Sequence, residues 1–445
     1  MTSLSQKFKE HFELILKSTL STVDSEQLLN KAVKVNGKKL SIESKIIELS
    51  DYKKIFVIGV GKGSIGLFNG LFKILGNKIN YGLIISGKEK KSWKKNIVFL
   101  KGDHPVPKEN SKNAALKLKK FVKKINKDDL LISLITGGAS AMVISPPKNI
   151  KYDNLSKLNS LLINSGASIN EINCVRKHLS TIKGGRLART IFPATIVTLY
   201  ISDVIDSDSG TIGSGLFAGD SSSFADAITV LKKFSSEDNI GTDIIRFLKK
   251  GSEGKIEETP KPDDPIFKNN LSFIIGENLT ALKAAKKRAE ELGYMSKIIG
   301  TDEYGDVKKA AKKYGKIIKS ELKNLNSYDR RRLLLFGGEF TVSITGKGRG
   351  GRVQEFLLLL LLELKDACRP FFIAGFGTDG RDGNSDAAGA WIDEKTFEKC
   401  EKKLSVPIVN YLANNDSNTF FKKIDQAIQT GSTGTNVMDV FFIFL

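Results

Sequence analysis

The chain is expected to be an α/β protein built on a parallel sheet with helices on both faces. Three observations predict this. Short β-branched apolar runs, among them Lys54–Val60, Tyr81–Ser86, Leu130–Thr136 and Ala194–Ile201, alternate with stretches of helical periodicity. The runs break off in glycine-rich turns, the place where such sheets bind ligands at the carboxyl ends of their strands. The length of 445 residues is enough for two or three domains, each with its own core.

In order along the chain, the first 50 residues read as helices. Leu4, Phe8, Phe12, Ile15 and Thr19 share one face of the first. Lys54–Val60 is a buried strand, followed by a glycine turn and a helix over Gly61–Ile74. Tyr81–Ser86 and Ile97–Leu100 are strands, Asn113–Lys124 a helix, and Leu130–Thr136 a strand ending in Gly137-Gly138-Ala139-Ser140. Asp153–Asn164 and Ile169–Leu179 read as helices, Ala194–Ile201 as a strand, and Asp226–Phe234 as a helix. Gly251–Asp264 is rich in Glu, Lys, Pro and Asp and nearly free of apolar residues, which marks a boundary between domains 1–260 and 261–445. Beyond it, strands at Leu271–Ile275 and Ser296–Ile299 alternate with helices at Leu279–Leu292 and Val307–Leu325. Leu333–Leu362 then reads as a strand, a buried carboxylate at Gly337-Gly338-Glu339, a second strand, the loop Gly346–Arg352, and a helix from Gln354. Phe371–Phe376 is a strand, Asp393–Leu404 and Leu412–Ala427 are helices, and Val437–Leu445 is the last strand.

The formal charge of +21 raises nucleic acid as a partner. The lysines are scattered, however, with no basic tail and no interleaved aromatics. The charge therefore reads as solvated faces with some attraction for small anions. Cys174, Cys368 and Cys400 form no zinc or CxxC spacing and suit a reducing compartment. The N-terminal residues show no signal peptide, and the longest apolar run, Phe356–Leu362, is too short to span a bilayer. A soluble cytoplasmic protein without a membrane partner is expected.

Several turns carry residues suited to anion chemistry. Gly61-Lys62-Gly63-Ser64-Ile65-Gly66 is a GxGxxG between a strand and a helix, with a lysine in the turn. A dinucleotide fold would also need a carboxylate at the end of the second strand. That strand ends Ser86-Gly87-Lys88, with no acid before Glu89. Gly137-Gly138-Ala139-Ser140 is a second phosphate-type cradle. Neither Gly61-Lys62 nor Gly346-Lys347 is followed by Ser or Thr, which excludes P-loop NTPases. Asp203, Asp206 and Asp208 follow a strand, where one or two carboxylates could hold Mg²⁺ with a substrate phosphate; the alternative is turn and cap hydrogen bonding. Asp382, Asn384 and Asp386, with Asp393 twelfth, echo an EF-hand, but Ala387 stands where that loop needs glycine. Asp379, at a strand's carboxyl end, is the better candidate. Arg349 and Arg352 offer forked donors beside a helix N-terminus. His104 lies in a stiff loop, and His11 and His178 read as helix-surface residues.

Eight ordered motifs together resemble a known family. They are VIGVGKGSIG (Val57–Gly66), GDHPVP (Gly102–Pro107), LITGGASAM (Leu134–Met142), NCVRKHLSTIKGGRLA (Asn173–Ala188), ISDVIDSDSGTIGSG (Ile201–Gly215), GGEFTVSITGKGRGGRVQE (Gly337–Glu355), GTDGRDGNSDAAGAWID (Gly377–Asp393) and GSTGTNVMDV (Gly431–Val440). The chain resembles the class II glycerate kinases, which have a Rossmann-like N-terminal domain and a C-terminal MOFRL domain. The resemblance implies two three-layer α/β/α domains, the first with a parallel sheet and the second with a mixed sheet, and an active site in the cleft between them. It implies ATP-dependent phosphorylation of D-glycerate, to 2-phosphoglycerate, with Mg²⁺ or another divalent metal.

Lys62 and Arg352 match the residues usually credited with catalysis, and Asp203 joins them as a catalytic candidate. Asp203, Asp206 and Asp379 are the metal candidates. Gly61, Gly63, Ser64, Gly137, Gly138, Ser140, Ser214, Gly215, Glu339, Arg349, Asp379 and Asn436 are the expected substrate and nucleotide contacts. Among them Gly137, Gly138, Ser140, Ser214 and Gly215 would give donors to nucleotide phosphate, and Glu339 would orient a cation. Phe340, Val353, Ile205 and Leu216 stand where the family commonly has Pro, Asn, Gly and Pro. The expected state is a monomer or homodimer without a specific nucleic acid. The alternative reading is a hydroxypyruvate reductase using a nicotinamide cofactor.

Overall fold

The computed structural model describes residues 4–205, 208–234, 240–325, 331–367 and 369–445. Asp206 and Cys368 lie outside the described residues. The chain divides into two compact units, Ser25–Ile275 and Met1–Asp24 with Gly276–Leu445. The expected division at 260/261 differs from this in two places. The first helix belongs with the C-terminal part of the chain, and residues up to 275 stay with the N-terminal part. The cause of the first difference is aromatic packing. Phe8 lies 5.7 Å from Phe444, tilted against it, and Phe12 lies 5.6 Å from Phe372 and 5.2 Å from Phe442. Burying two such rings contributes about 2 kcal/mol each.

In the unit Ser25–Ile275, the helix Ser25–Ala32 leads into a small antiparallel meander of β1 (Val33–Asn36), β2 (Lys39–Ile42) and β3 (Lys45–Glu48). The first 50 residues are therefore not all helical. Val33, Leu40, Ile42 and Ile47 point inward at strand spacing, a period of two that is easily missed in so short a run. The main sheet contains β4 (Ile55–Val60), β5 (Ile79–Ser86), β6 (Ile97–Lys101), β7 (Leu130–Ile135), β8 (Thr195–Ile201) and β9 (Asn270–Gly276), in the order β6-β5-β4-β7-β8-β9. The pairs β5–β6, β4–β5, β4–β7 and β7–β8 are parallel. Every residue of β4 and β7 is buried, as expected for central strands covered on both faces. The helix Ser64–Leu75 presents Leu67, Phe68, Leu71 and Leu75 to this sheet. Helix Ile169–His178 starts at a capping box. Ser168 Oγ accepts from Glu171 N, and the Glu171 carboxylate accepts from Ser168 N at 2.8 Å.

In the other unit the mixed sheet runs β10-β11-β15-β12-β13-β14, with β10 (Met295–Asp306), β11 (Arg332–Thr341), β12 (Phe372–Gly377), β13 (Gly389–Asp393), β14 (Ala427–Ile428) and β15 (Asp439–Phe444). β10 and β11 are parallel, while β15 is antiparallel to β11 and β12. Its core is aromatic. Phe336 stacks on Tyr314 at 3.8 Å and on Phe441 at 4.6 Å, and Phe340 lies 5.2 Å from Phe356. This packing explains a phenylalanine at 340. Leu412–Ala427 is not one helix but two short ones, Ile408–Ala413 and Ser417–Lys423, followed by β14. Asn415 takes a positive φ between them, which stops the first helix. The second strand expected after Glu339 does not form, because β11 carries through Glu339 to Thr341. Among the described residues no helix is long and apolar enough to cross a membrane.

Candidate active site

In the parallel sheet the chain runs from β4 outward to β5 and β6, then returns to the other side of β4 as β7. The turns after β4 and β7 thus flank the switch point, where a ligand crevice forms. Gly61, at φ +127°, is required there, because a Cβ would sit 2.3 Å from Thr136 Oγ1. The first turn is bonded to its neighbours. Gly61 N donates to Ile85 O (3.1 Å), Lys62 N to Gly137 O (2.9 Å) and Gly63 N to Thr136 Oγ1 (2.9 Å). The Ser64 hydroxyl is fully buried and lies 2.9 Å from the carbonyl oxygens of both Gly61 and Ile85. The amides of Gly61 and Gly63 and the Ser64 hydroxyl are therefore used within the fold, in a turn that carries the half-buried Lys62. Among the described residues no protein acceptor takes the amides of Gly137 and Gly138. The second turn therefore leaves two amides not taken by a protein acceptor among the described residues. His104 lies against it, 3.0 Å from where a Gly138 Cβ would stand.

Two further loops join these turns. Gly184 N donates to Ser214 O (3.1 Å) and Gly185 N to Gly215 O (2.7 Å). Ser214 has φ +59°, a costly conformation for a residue with a Cβ. Its hydroxyl lies 2.8 Å from Ser140 Oγ and donates to Asn173 Oδ1 at 2.9 Å. Lys183 is buried and donates from Nζ to Ser140 O at 2.9 Å. Burial, with nearby Arg176 adding to it, brings its ammonium down to about 7. Asp203 is half-buried after β8. Asp208 is committed to its own turn, accepting from Gly210 N at 3.2 Å and Thr211 Oγ1 at 2.7 Å.

His178 is not on a helix surface; it is fully buried. Its Nδ1 lies 2.7 Å from Cys174 O and 3.9 Å from Asp220, and its Nε2 lies 2.9 Å from Glu258. Burial alone would favour the neutral ring, but these partners outweigh it and raise its pKa to about 9. Glu258 also accepts from Phe224 N and Thr259 N. Against burial, His178 and these amides bring it down to about 2. Asp220 is bonded to Lys177 (3.2 Å) and Thr259 (3.1 Å). His11 is half-buried, with Nδ1 2.9 Å from the Tyr294 hydroxyl.

The loop of the other unit behaves differently. Thr345 N and Gly346 N donate to Asn415 Oδ1, Lys347 N to Asn414 Oδ1, Arg349 N to Asp416 Oδ1 and Gly350 N to Asn384 Oδ1, all within 3.0 Å. Asn415 is held in turn by Glu355. At the helix Arg352–Glu363, Val353 N and Gln354 N donate to Asp382 at 3.1 and 2.8 Å. The expected anion site at this helix N-terminus is therefore filled by the protein's own carboxylate. Arg352 donates to Asp439 through Nε (2.6 Å) and Nη2 (3.2 Å), and to Glu339 through Nη1. Glu339 is half-exposed rather than buried, and it orients an arginine as expected. Burial raises Asp382 to about 7 and Asp439 to about 6, with Arg352 opposing both. Arg352 is itself held above its usual range despite burial, by Asp439 and Glu339.

Thr378 joins the 379 and 436 loops. Its Oγ1 donates to Met438 O (2.7 Å) and accepts from Val437 N (2.8 Å), while its carbonyl accepts from Thr433 Oγ1 (2.6 Å). Asp379 and Asn436 are half-buried on these loops. Arg349 is mostly exposed and faces Asp386 at 3.7 Å. Sequence reasoning did not include Asp439, Asp382, Asn173 and Lys183, which bond to candidate residues or to the helix start beside them, among its candidates. The signal for Asp439 was an acid opening an otherwise apolar strand.

Among the described residues no group of three or more His, Cys, Asp or Glu side chains is placed to hold a metal. Asp203 and Asp379 each offer a single carboxylate, which suits a hard cation that needs few protein ligands.

The MOFRL family model matches residues 332–439, and the model described as a domain of unknown function, DUF4147, matches residues 11–249. A glycerate 2-kinase of Pyrococcus horikoshii is 32% identical over 431 residues, covering 96% of this chain and 94% of the relative. The chain belongs to the class II glycerate kinase family. A D-glycerate 2-kinase of Thermotoga maritima is 33% identical over 417 residues, covering 92% of this chain and 93% of the relative. The human glycerate kinase is 29% identical, covering 99% and 94%. The crystal structure of the Thermotoga maritima glycerate kinase matches with a TM-score of 0.81 at 29% identity, covering 99% and 100%. A Pyrococcus horikoshii crystal structure matches with a TM-score of 0.78 at 30% identity, covering 100% and 99%.

Proposed function

We propose that this protein is an ATP-dependent kinase that transfers the γ-phosphoryl group to the 2-hydroxyl of D-glycerate, releasing ADP. The observation that carries this reading is the end-to-end match to relatives named glycerate 2-kinase. The switch-point turns supply what the chemistry needs, cationic and amide donors around a group that gains charge. Lys62 neutralises charge developing on the γ-phosphoryl. Gly137 and Gly138 give their amides to phosphate oxygen. Arg352, oriented by Glu339 and Asp439, binds the glycerate carboxylate or the transferred phosphoryl. Asp203, or alternatively Asp379, holds Mg²⁺ or accepts the hydroxyl proton. A Mg²⁺ held there would offset negative charge developing on the transferring phosphoryl group. On this reading the enzyme is cytoplasmic, a monomer or homodimer, with glycerate and ATP as its ligands.

The test incubates purified protein with ATP, Mg²⁺ and D-glycerate, follows ADP, and separates the 2- and 3-phospho products. Glycerate-dependent ADP with 2-phosphoglycerate is expected. No ADP on adding glycerate overturns the reading, and NADH oxidation with hydroxypyruvate would replace it.

A further inference from the structure

The hydrogen-bond chain at the end of β7 has a direction. Asn173 Nδ2 donates to Thr211 O at 3.4 Å. The reverse amide orientation would set two carbonyl oxygens against each other, so Oδ1 faces Ser214 and the Ser214 hydroxyl donates to it. A hydroxyl has one hydrogen. With that hydrogen spent on Asn173, Ser214 can only accept from Ser140, 2.8 Å away. The Ser140 hydrogen is spent in turn, and its oxygen keeps only lone pairs.

Ser214 and Asn173 are closed off at 0% and 3% exposure, whereas Ser140 is half-buried. The open end of the chain is therefore an acceptor. This reverses the donor role expected of Ser140 from the sequence. Phosphate oxygens have no hydrogen to give it, but an alcohol does.

The surroundings narrow the choice. Lys183 fixes the Ser140 carbonyl, and Lys62 N is bonded to Gly137 O, three residues from Ser140. An acceptor beside donors that hold phosphate oxygens fits an alcohol hydroxyl of the acceptor acid lying next to the transferring phosphoryl group. A serine oxygen is also too weak a base to take the proton of an attacking alcohol.

We propose that Ser140 is a specificity residue, its hydroxyl oxygen accepting the hydrogen bond of the glycerate hydroxyl that is not phosphorylated. This rests on the kinase reading above, in which that group is the 3-hydroxyl. D-lactate is the matching probe, since it carries a methyl where D-glycerate carries the hydroxymethyl. The experiment compares kcat/KM for the two acids in wild type and in Ser140→Ala, with the KM for ATP measured alongside. If lactate turns over too slowly, its inhibition constant against glycerate replaces its kcat/KM.

Wild type prefers glycerate, and Ser140→Ala narrows that preference about tenfold, by losing glycerate and not lactate, with the KM for ATP unchanged. Equal losses for both acids, or a loss carried by the KM for ATP, overturn the proposal. Ser140→Gly repeats the comparison if the alanine variant does not fold. A wild-type enzyme with no glycerate turnover would sink the kinase reading itself. An active wild type whose preference survives the substitution sinks only the role of Ser140.

Discussion

Two glycine-rich loops of this molecule have nearly the same ingredients and opposite electrostatics. After β4 and β7, the turns at Gly61–Ser64 and Gly137–Ser140 bond to each other through the backbone, carry Lys62, and leave two amides without a protein acceptor among the described residues. In the loop 346–351, side-chain oxygens take the amides, Asp382 caps the helix, and Asp439 with Glu339 neutralises Arg352. Glycines, a basic residue and a helix N-terminus do not by themselves make an anion site. What matters is whether the fold delivers acceptors to the same amides.

Substitutions at the two cations separate these cases, and the largest effect is expected at Arg352. Arg352→Ala should cost at least ~100-fold in kcat/KM, and also about 2 kcal/mol of stability because Asp439 is left buried without its partner. Lys62→Ala should cost a similar ~100-fold in kcat/KM, about 2.7 kcal/mol of transition-state stabilisation. If both variants keep their stability, the contrast between the loops is wrong.

A smaller effect tests the cap. Asp382→Ala should lose about 2 kcal/mol in urea unfolding and Asp382→Asn about 1, since asparagine retains an acceptor for Val353 N and Gln354 N. Equal losses would mean that the cap depends on charge.

The smallest effect is a pH dependence. His178 is raised from 6.5 to about 9, so its contribution is fully present below 6.5 and is lost as pH rises through about 9. Glu258 is lowered from 4.5 to about 2, so its contribution is present above 4.5 and is lost as pH falls through about 2. Lys183, lowered from 10.5 to about 7, acts in the opposite sense on the alkaline side. His178→Gln should remove the alkaline fall in unfolding midpoint, and a fall of unchanged size would place its cause elsewhere.

Much of the fold was legible because strands buried on both faces must be apolar throughout. β4, β5, β7, β8 and β12 were each found within two residues. The small meander β1–β3 was missed, because four-residue strands carry too little periodicity. Leu412–Ala427 was read as one helix because its break depends on Asn415, whose contacts lie about 60 and 70 positions away at Glu355 and Ser343. Lys62, Arg352 and the strand-end turns were also visible. Asp439 was not singled out, and Asp382 was noticed only as part of a weak EF-hand echo, since a carboxylate becomes a partner of Arg352, or a cap, only when another segment is brought beside it. His178 looked like a surface residue because Asp220 and Glu258 are 42 and 80 positions away.

The sequence alone determined the class of fold, the family, and the turns that carry the proposed site residues, because local apolar patterning and short motifs are properties of contiguous residues. The tertiary structure decided which groups in those turns still have a hydrogen bond to give. It left the amides of Gly137 and Gly138 open, spent those of Gly61 and Gly63, and turned Ser140 from a donor into an acceptor. Each polar group has a fixed number of hydrogens and lone pairs, and only folding shows which of them the protein has already used.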